Sequence, residues 1–82
     1  MKRISLKNYD NSLGTLIDIE SYEKEHVPGS INIPYQKLIY NYQKLLDKNK
    51  PYYIICSGGI KSRKIVSILE LYGYNVTQVF KE

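Results

Sequence analysis

Cys56 is the only cysteine of the chain, and it stands directly before Ser57-Gly58-Gly59-Ile60-Lys61-Ser62-Arg63-Lys64. A thiol followed by a diglycine turn and then three cations has the make-up of a nucleophilic site. Two glycines let the backbone curl tightly, so several amide hydrogens can face one point, which here would be the sulfur. A helix beginning within or just after this stretch would add unpaired amides and the positive end of its dipole, with Lys61, Arg63 and Lys64 close by. The same surroundings favour thiolate over thiol and make Cys56 a candidate nucleophile. The competing reading is a small apolar side chain closing a buried strand, the commoner fate of a free cysteine. The glycines and cations turn the balance toward chemistry.

Other chemistries lack their residues. His26 is the only histidine, so neither an internal disulfide nor a zinc site of the Cys and His type can be assembled in one chain, and no metal or cofactor is expected. Redox sensing by Cys56 remains open, although no second cysteine exists to resolve a sulfenic acid. His26 reads as a residue that fastens its loop by hydrogen bonds rather than as a general base. Asp18 is placed to hydrogen-bond loop amides or to cap the next turn.

The elements that must position Cys56 follow from periodicity. Leu16-Ile17-Asp18-Ile19 is a short apolar run after the turn-like Asn11-Ser12-Leu13-Gly14, and reads as a buried strand. Ile31-Asn32-Ile33 is a second strand, entered through Pro28-Gly29 and stopped by Pro34. Between them, Glu20 to His26 is polar, with one turn of helical character at best. From Tyr35 the period becomes helical: Tyr35, Leu38, Ile39, Tyr42, Leu45 and Leu46 recur at three and four residues. Tyr52-Tyr53-Ile54-Ile55 is apolar on both faces, as a central strand of a covered parallel sheet must be. A second helix carries Ile65, Ile68, Leu69 and Tyr72 and stops at Gly73, and a last strand runs from Asn75 to Phe80. Strand and helix alternate, which predicts a three-layer α/β/α fold with a mostly parallel sheet of four to five strands and right-handed crossovers. In such sheets ligands sit beyond the carboxyl ends of the strands, where Cys56 falls.

Length and composition bound the rest. The chain has 82 residues, 43% of them hydrophobic and 24% charged, with a formal net charge of +4. That is one globular domain, residues 1–82, with an expected radius of gyration of roughly 12 Å. Its charge suits an anionic ligand, yet is also what solubility asks of a small domain. The longest strongly apolar stretch, Tyr52 to Cys56, is far short of a membrane span, and Met1-Lys2-Arg3 leads into no apolar signal core. A soluble cytoplasmic protein with a reduced thiol is expected. Nucleic-acid binding is not, because Lys48 and Lys50 are too few to form a basic patch interleaved with exposed aromatics. The nine tyrosines are read as core or rim packing.

Two separated motifs resemble those of the rhodanese-like domains. Leu16-Ile17-Asp18-Ile19-Glu20, continued by Glu25-His26-Val27-Pro28-Gly29-Ser30-Ile31-Asn32-Ile33-Pro34, is similar to that family's Asp-Val-Arg strand end and its Gly-His-Ile-Pro-Gly-Ala-Ile-Asn-Ile-Pro segment. Ile54-Ile55-Cys56-Ser57-Gly58-Gly59-Ile60-Lys61-Ser62 resembles the family's active-site loop, and Leu69-Glu70-Leu71-Tyr72-Gly73-Tyr74-Asn75-Val76 its exit helix and turn. The resemblance covers roughly residues 16–80. It implies transfer of a sulfane sulfur, from a donor such as thiosulfate to a thiol or protein acceptor, through a persulfide on Cys56. The backbone of Ser57, Gly58, Gly59, Ile60, Lys61 and Ser62 would hold the substrate anion, Lys61 would attract and orient the donor, and the Ser62 hydroxyl would add a donor at the loop's closing end.

The departures also carry expectations. Glu20 stands where the family has Arg and Glu25 where it has Gly, placing acidic side chains near a mouth meant for anions and weighing against thiosulfate affinity. Residues 7–15 hold no clear first helix, and the chain ends at Glu82, before the family's usual Gly-Gly and Trp segment, so the fold is expected to be thinly covered or completed by a protein partner. A non-catalytic binding or regulatory module is the alternative to the enzyme. Cysteine phosphatases and arsenate reductases share the loop architecture but need Arg six positions after the cysteine. Ser62 occupies that position, and Arg63 is turned by about 100° from it on a helix.

Overall fold

In the computed structural model, which describes residues 1–20 and 27–82, five strands form one sheet: β1 (Lys2–Ser5), β2 (Thr15–Asp18), β3 (Ile31–Asn32), β4 (Pro51–Ile55) and β5 (Asn75–Phe80). Two helices, α1 (Tyr35–Leu45) and α2 (Ile60–Leu71), complete the regular structure together with two 3-10 turns at Leu6–Asn8 and Asn11–Leu13. The strand order is β1-β5-β4-β2-β3. Every pairing is parallel, with Ile17 opposite Ile54, Ile54 opposite Gln78, and Gln78 opposite Arg3. The radius of gyration is 11.3 Å, close to the value expected from length.

Crossover handedness distributes the layers. The connections β3 to β4 and β4 to β5 step in one direction along the sheet, and both carry an α-helix on the same face. There Leu38, Ile65, Val66 and Leu69 pack on Ile17, Ile54 and Val76. The connections β1 to β2 and β2 to β3 step the other way and supply the opposite face. That smaller cluster holds Leu16, Ile55 and Val79 beneath Leu6, Tyr9 and Val27. Among the described residues this second cover consists of 3-10 turns and loop, in keeping with the lack of a helical pattern over residues 7–15.

The elements form for the expected local reasons, with a few differences. In α1, Leu38 is fully buried and Tyr35, Ile39 and Tyr42 pack against the core, but Leu45 is exposed. The chain leaves the helix at Leu46 with extended backbone, and Leu46 takes the core position instead. In α2, Ile65 and Leu69 are buried, while Tyr72, which caps the helix just beyond its end, is half-exposed and stacks on Tyr42 with ring centroids 5.5 Å apart. Gly73 has φ +89° and ends α2 with the amides of Gly73 and Tyr74 bonded back to Glu70 and Leu69. Periodicity gave no sign of β1. Its residues are half charged and only Ser5 is buried, because it is an edge strand held on one side by β5.

Candidate active site

Cys56 leaves the carboxyl end of β4, the central strand, and its turn into α2 is shaped by glycine. Gly59 sits at φ +80° and ψ −14° just ahead of α2, a left-handed conformation that costs other residues strain. This bend aims two backbone amides at one atom. The Cys56 Sγ accepts from the Gly59 N–H at 3.1 Å and from the Ser62 N–H at 3.3 Å, and lies 3.4 Å from the Ser62 Oγ. The thiol is only 6% exposed, so these contacts are made away from bulk water, where an anionic sulfur gains most from them.

Ser62 is wholly buried and is itself held from behind. Gln78 on β5, 3% exposed, donates through Nε2 to the Ser62 Oγ at 3.1 Å and to the Gly59 carbonyl at 2.9 Å. Its Oε1 accepts from the Arg3 Nε at 3.1 Å, and the Arg3 guanidinium lies over the Phe80 ring at 4.7 Å. A polar chain therefore runs from β1 through β5 to the sulfur loop. Gln78 and Arg3 were not recognised from the sequence, and the faint available signal was a glutamine between Val76 and Val79 in the last strand.

The predicted cradle is brought together, with its amides divided between two tasks. Gly59 and Ser62 face the sulfur. The amides of Ile60 and Lys61, in the first turn of α2, have no acceptor within the helix. The Ser57 N–H, by contrast, donates to Glu20 Oε2 at 2.7 Å, and the Ser57 hydroxyl donates to the same oxygen at 2.9 Å. Glu20 is in turn placed by Asp18, whose Oδ1 accepts the Glu20 N–H at 3.0 Å, and by Asn32, which donates to the Asp18 and Glu20 carbonyls. Glu20 thus acts as a strut for the loop's first residue, and Asp18 bonds a loop amide as anticipated. Glu25 and His26 lie outside the described residues.

Beside Cys56 opens a cleft of about 820 Å³ between α2 and the β1–β5 edge. Ser57, Gly58, Gly59 and Ile60 line its sulfur end, and Arg3, Arg63, Lys64 and Lys81 contribute cations. Lys61 is exposed and is not among the lining residues, whereas Arg63 is. At the loop-closing position stands the Ser62 hydroxyl, where an oxyanion-gripping arginine would be needed for phosphatase chemistry. No helix among the described residues is long and apolar enough to cross a membrane.

Comparisons with known proteins agree with this architecture. The family model described as "Rhodanese-like domain" matches residues 3–81. A tRNA sulfurtransferase of Thermoplasma acidophilum is 35% identical over 69 residues, spanning 80% of this chain and 14% of that protein. The thiosulfate sulfurtransferase GlpE of Coxiella burnetii is 32% identical over 77 residues, or 94% of this chain and 65% of that one. The chain thus spans somewhat under two thirds of the one curated relative and a small part of the other. Among solved structures, a rhodanese-like domain protein from Staphylococcus aureus superposes with a TM-score of 0.82 at 30% identity, covering 96% of this chain and 84% of that one.

Proposed function

The chain belongs to the rhodanese-like domain family, and from that premise we propose that it is a sulfurtransferase carrying a sulfane sulfur on Cys56. The observation that carries this reading is the convergence of the Gly59 and Ser62 amides and the Ser62 hydroxyl on a nearly buried sulfur at the end of a cationic cleft. That arrangement stabilises negative charge on sulfur, which both half-reactions require.

In the first half-reaction the Cys56 thiolate attacks the outer sulfur of thiosulfate. A new S–S bond forms, the donor's S–S bond breaks, and sulfite leaves with the electron pair. The persulfide carries its charge on the outer sulfur, at the N-terminal end of α2, whose first-turn Ile60 and Lys61 amides have no acceptor within the helix. In the second half-reaction an acceptor thiolate, or cyanide, takes that outer sulfur and restores the Cys56 thiolate. Lys61 is assigned long-range attraction of the donor, and Lys61→Ala should raise the KM for thiosulfate; an unchanged KM removes it from this role.

Intact mass after incubation with thiosulfate should rise by one sulfur atom in the native protein and not in Cys56→Ala, and cyanide should then release thiocyanate. Absence of both the mass gain and a thiocyanate rate above that of Cys56→Ala would overturn the enzymatic reading in favour of a binding module.

A further inference from the structure

We propose that the cleft beside Cys56 receives, as the sulfur acceptor, an extended small-molecule thiol with an anionic tail; the proposal rests on the reading of Cys56 as a persulfide carrier. Size is the first argument. The cleft's volume of about 820 Å³ lies in the range of roughly 300–1,000 Å³ that holds drug-sized ligands. Thiosulfate or cyanide would occupy only the end next to the sulfur.

Charge is the second. Arg3, Arg63, Lys64 and Lys81 line the cleft, and no carboxylate lines it among the described residues. None of these four cations is in an ion pair among the described residues. Arg3 is held in place by Phe80 and Gln78, so its charge is presented without further ordering. The nearby carboxylates Asp18 and Glu20 belong to the β2 side of the loop, and Glu20 is bonded to Ser57 there. Lining chemistry is the third argument. Ile60, Ile68 and Phe80 give the cleft an apolar wall, which an inorganic anion cannot use. A ligand with a sulfur at one end, an aliphatic body and a negative tail satisfies all three. Its thiolate attacks the outer sulfur of the Cys56 persulfide, the persulfide S–S bond breaks as the new one forms, and Cys56 leaves as thiolate. The acceptor departs as a persulfide, with no oxidant or reductant consumed.

The matched probes are 4′-phosphopantetheine and pantetheine, which share a thiol arm and differ by a terminal phosphate. With Cys56 loaded from thiosulfate and freed of excess donor, kcat/KM for transfer should be about tenfold higher for the phosphorylated thiol at low ionic strength. The ratio should fall toward one near 1 M salt, where the screening length is about 3 Å. Arg63→Gln with Lys64→Gln should collapse it as well, whereas Lys44→Gln on α1 should preserve it. A ratio near one in the native protein, or a preference that survives the Arg63 and Lys64 changes, overturns the proposal. S-methylated forms of both probes, titrated onto the unloaded protein, keep it separable from the persulfide reading. The phosphorylated thioether should bind about tenfold tighter and shift the amides of α2 and β5. Equal binding overturns the proposal even where Cys56 takes up sulfur, and tighter binding supports it even where Cys56 does not.

Discussion

Ser62 concentrates the residue-scale argument, since its hydroxyl lies among the Cys56 sulfur, the Gln78 amide and the Gly59 carbonyl. The Ser62 hydroxyl donates to the Gly59 carbonyl at 3.2 Å, but that oxygen also accepts from the Arg63 N–H and from Gln78 Nε2, so the Ser62 proton can turn to an anionic sulfur without leaving the carbonyl unpaired. Ser62→Ala removes that donor but leaves both amides on Sγ. Thiocyanate formation should slow by about tenfold in kcat, less than the roughly 10²–10³ that follows loss of a principal oxyanion donor. An undiminished kcat would remove the hydroxyl from the mechanism. The two loop glycines should separate cleanly in urea unfolding. A Cβ on Gly59 meets nothing closer than the Gln78 Nε2 at 3.8 Å, so Gly59→Ala should cost only the left-handed backbone term, about 1–2 kcal/mol. Gly58 has no atom within 4 Å of its Cβ position and no positive φ, and its change to Ala should be nearly neutral. Cys56, Gly59 and Ser62 were legible in the sequence because a turn and a helix start are local events. The Lys61 side chain was less so, because which cations of a first helical turn reach the cleft depends on what lies across it.

At the scale of elements, β5 and β1 reach into the site although neither carries its cysteine loop. Gln78 bonds two loop groups at once, so Gln78→Leu leaves the Gly59 carbonyl with one donor fewer and holds the Ser62 proton on that carbonyl, away from the sulfur. Stability should fall by about 1–3 kcal/mol, the usual cost of a buried polar group losing its partner. Turnover should fall too, and that loss should largely vanish when measured in Ser62→Ala, because both changes act through one hydroxyl. Additive losses would mean that Gln78 acts by another route. The helices α1 and α2 were legible from their period, and the strands β2, β4 and β5 from short apolar runs, because each buries a face that shows in the residues. β1 was not, since an edge strand with Lys2 and Arg3 exposed has no such face. The Glu20 strut was hidden for a different reason: a glutamate next to a strand end reads as charge, and only its contact with Ser57, 37 residues away, turns it into a scaffold.

For the whole molecule, the sheet order makes β4 the best-protected element. It is paired on both sides, and Ile54 and Ile55 are buried on opposite faces. Native-state hydrogen exchange should leave β4 amides slower than those of the edge strands β1 and β3 by about a hundredfold or more. Comparable rates would mean that the sheet opens as one unit. The sequence by itself determined the α/β class, the family, the elements around the core and the position of the thiol at a strand's carboxyl end. The class, the elements and the thiol's place follow from periodicities and turns a few residues long, which act before any distant contact forms, and the family from the resemblance of two short motifs. Tertiary structure alone decided what stands behind and beside the loop that holds that thiol. Parallel strands pair only after a crossover, so neighbours in the sheet are remote in the chain, as Arg3 and Gln78 are at a separation of 75 residues. The polar chain behind Ser62, the strut at Ser57 and the cation-lined cleft all arise from that rule.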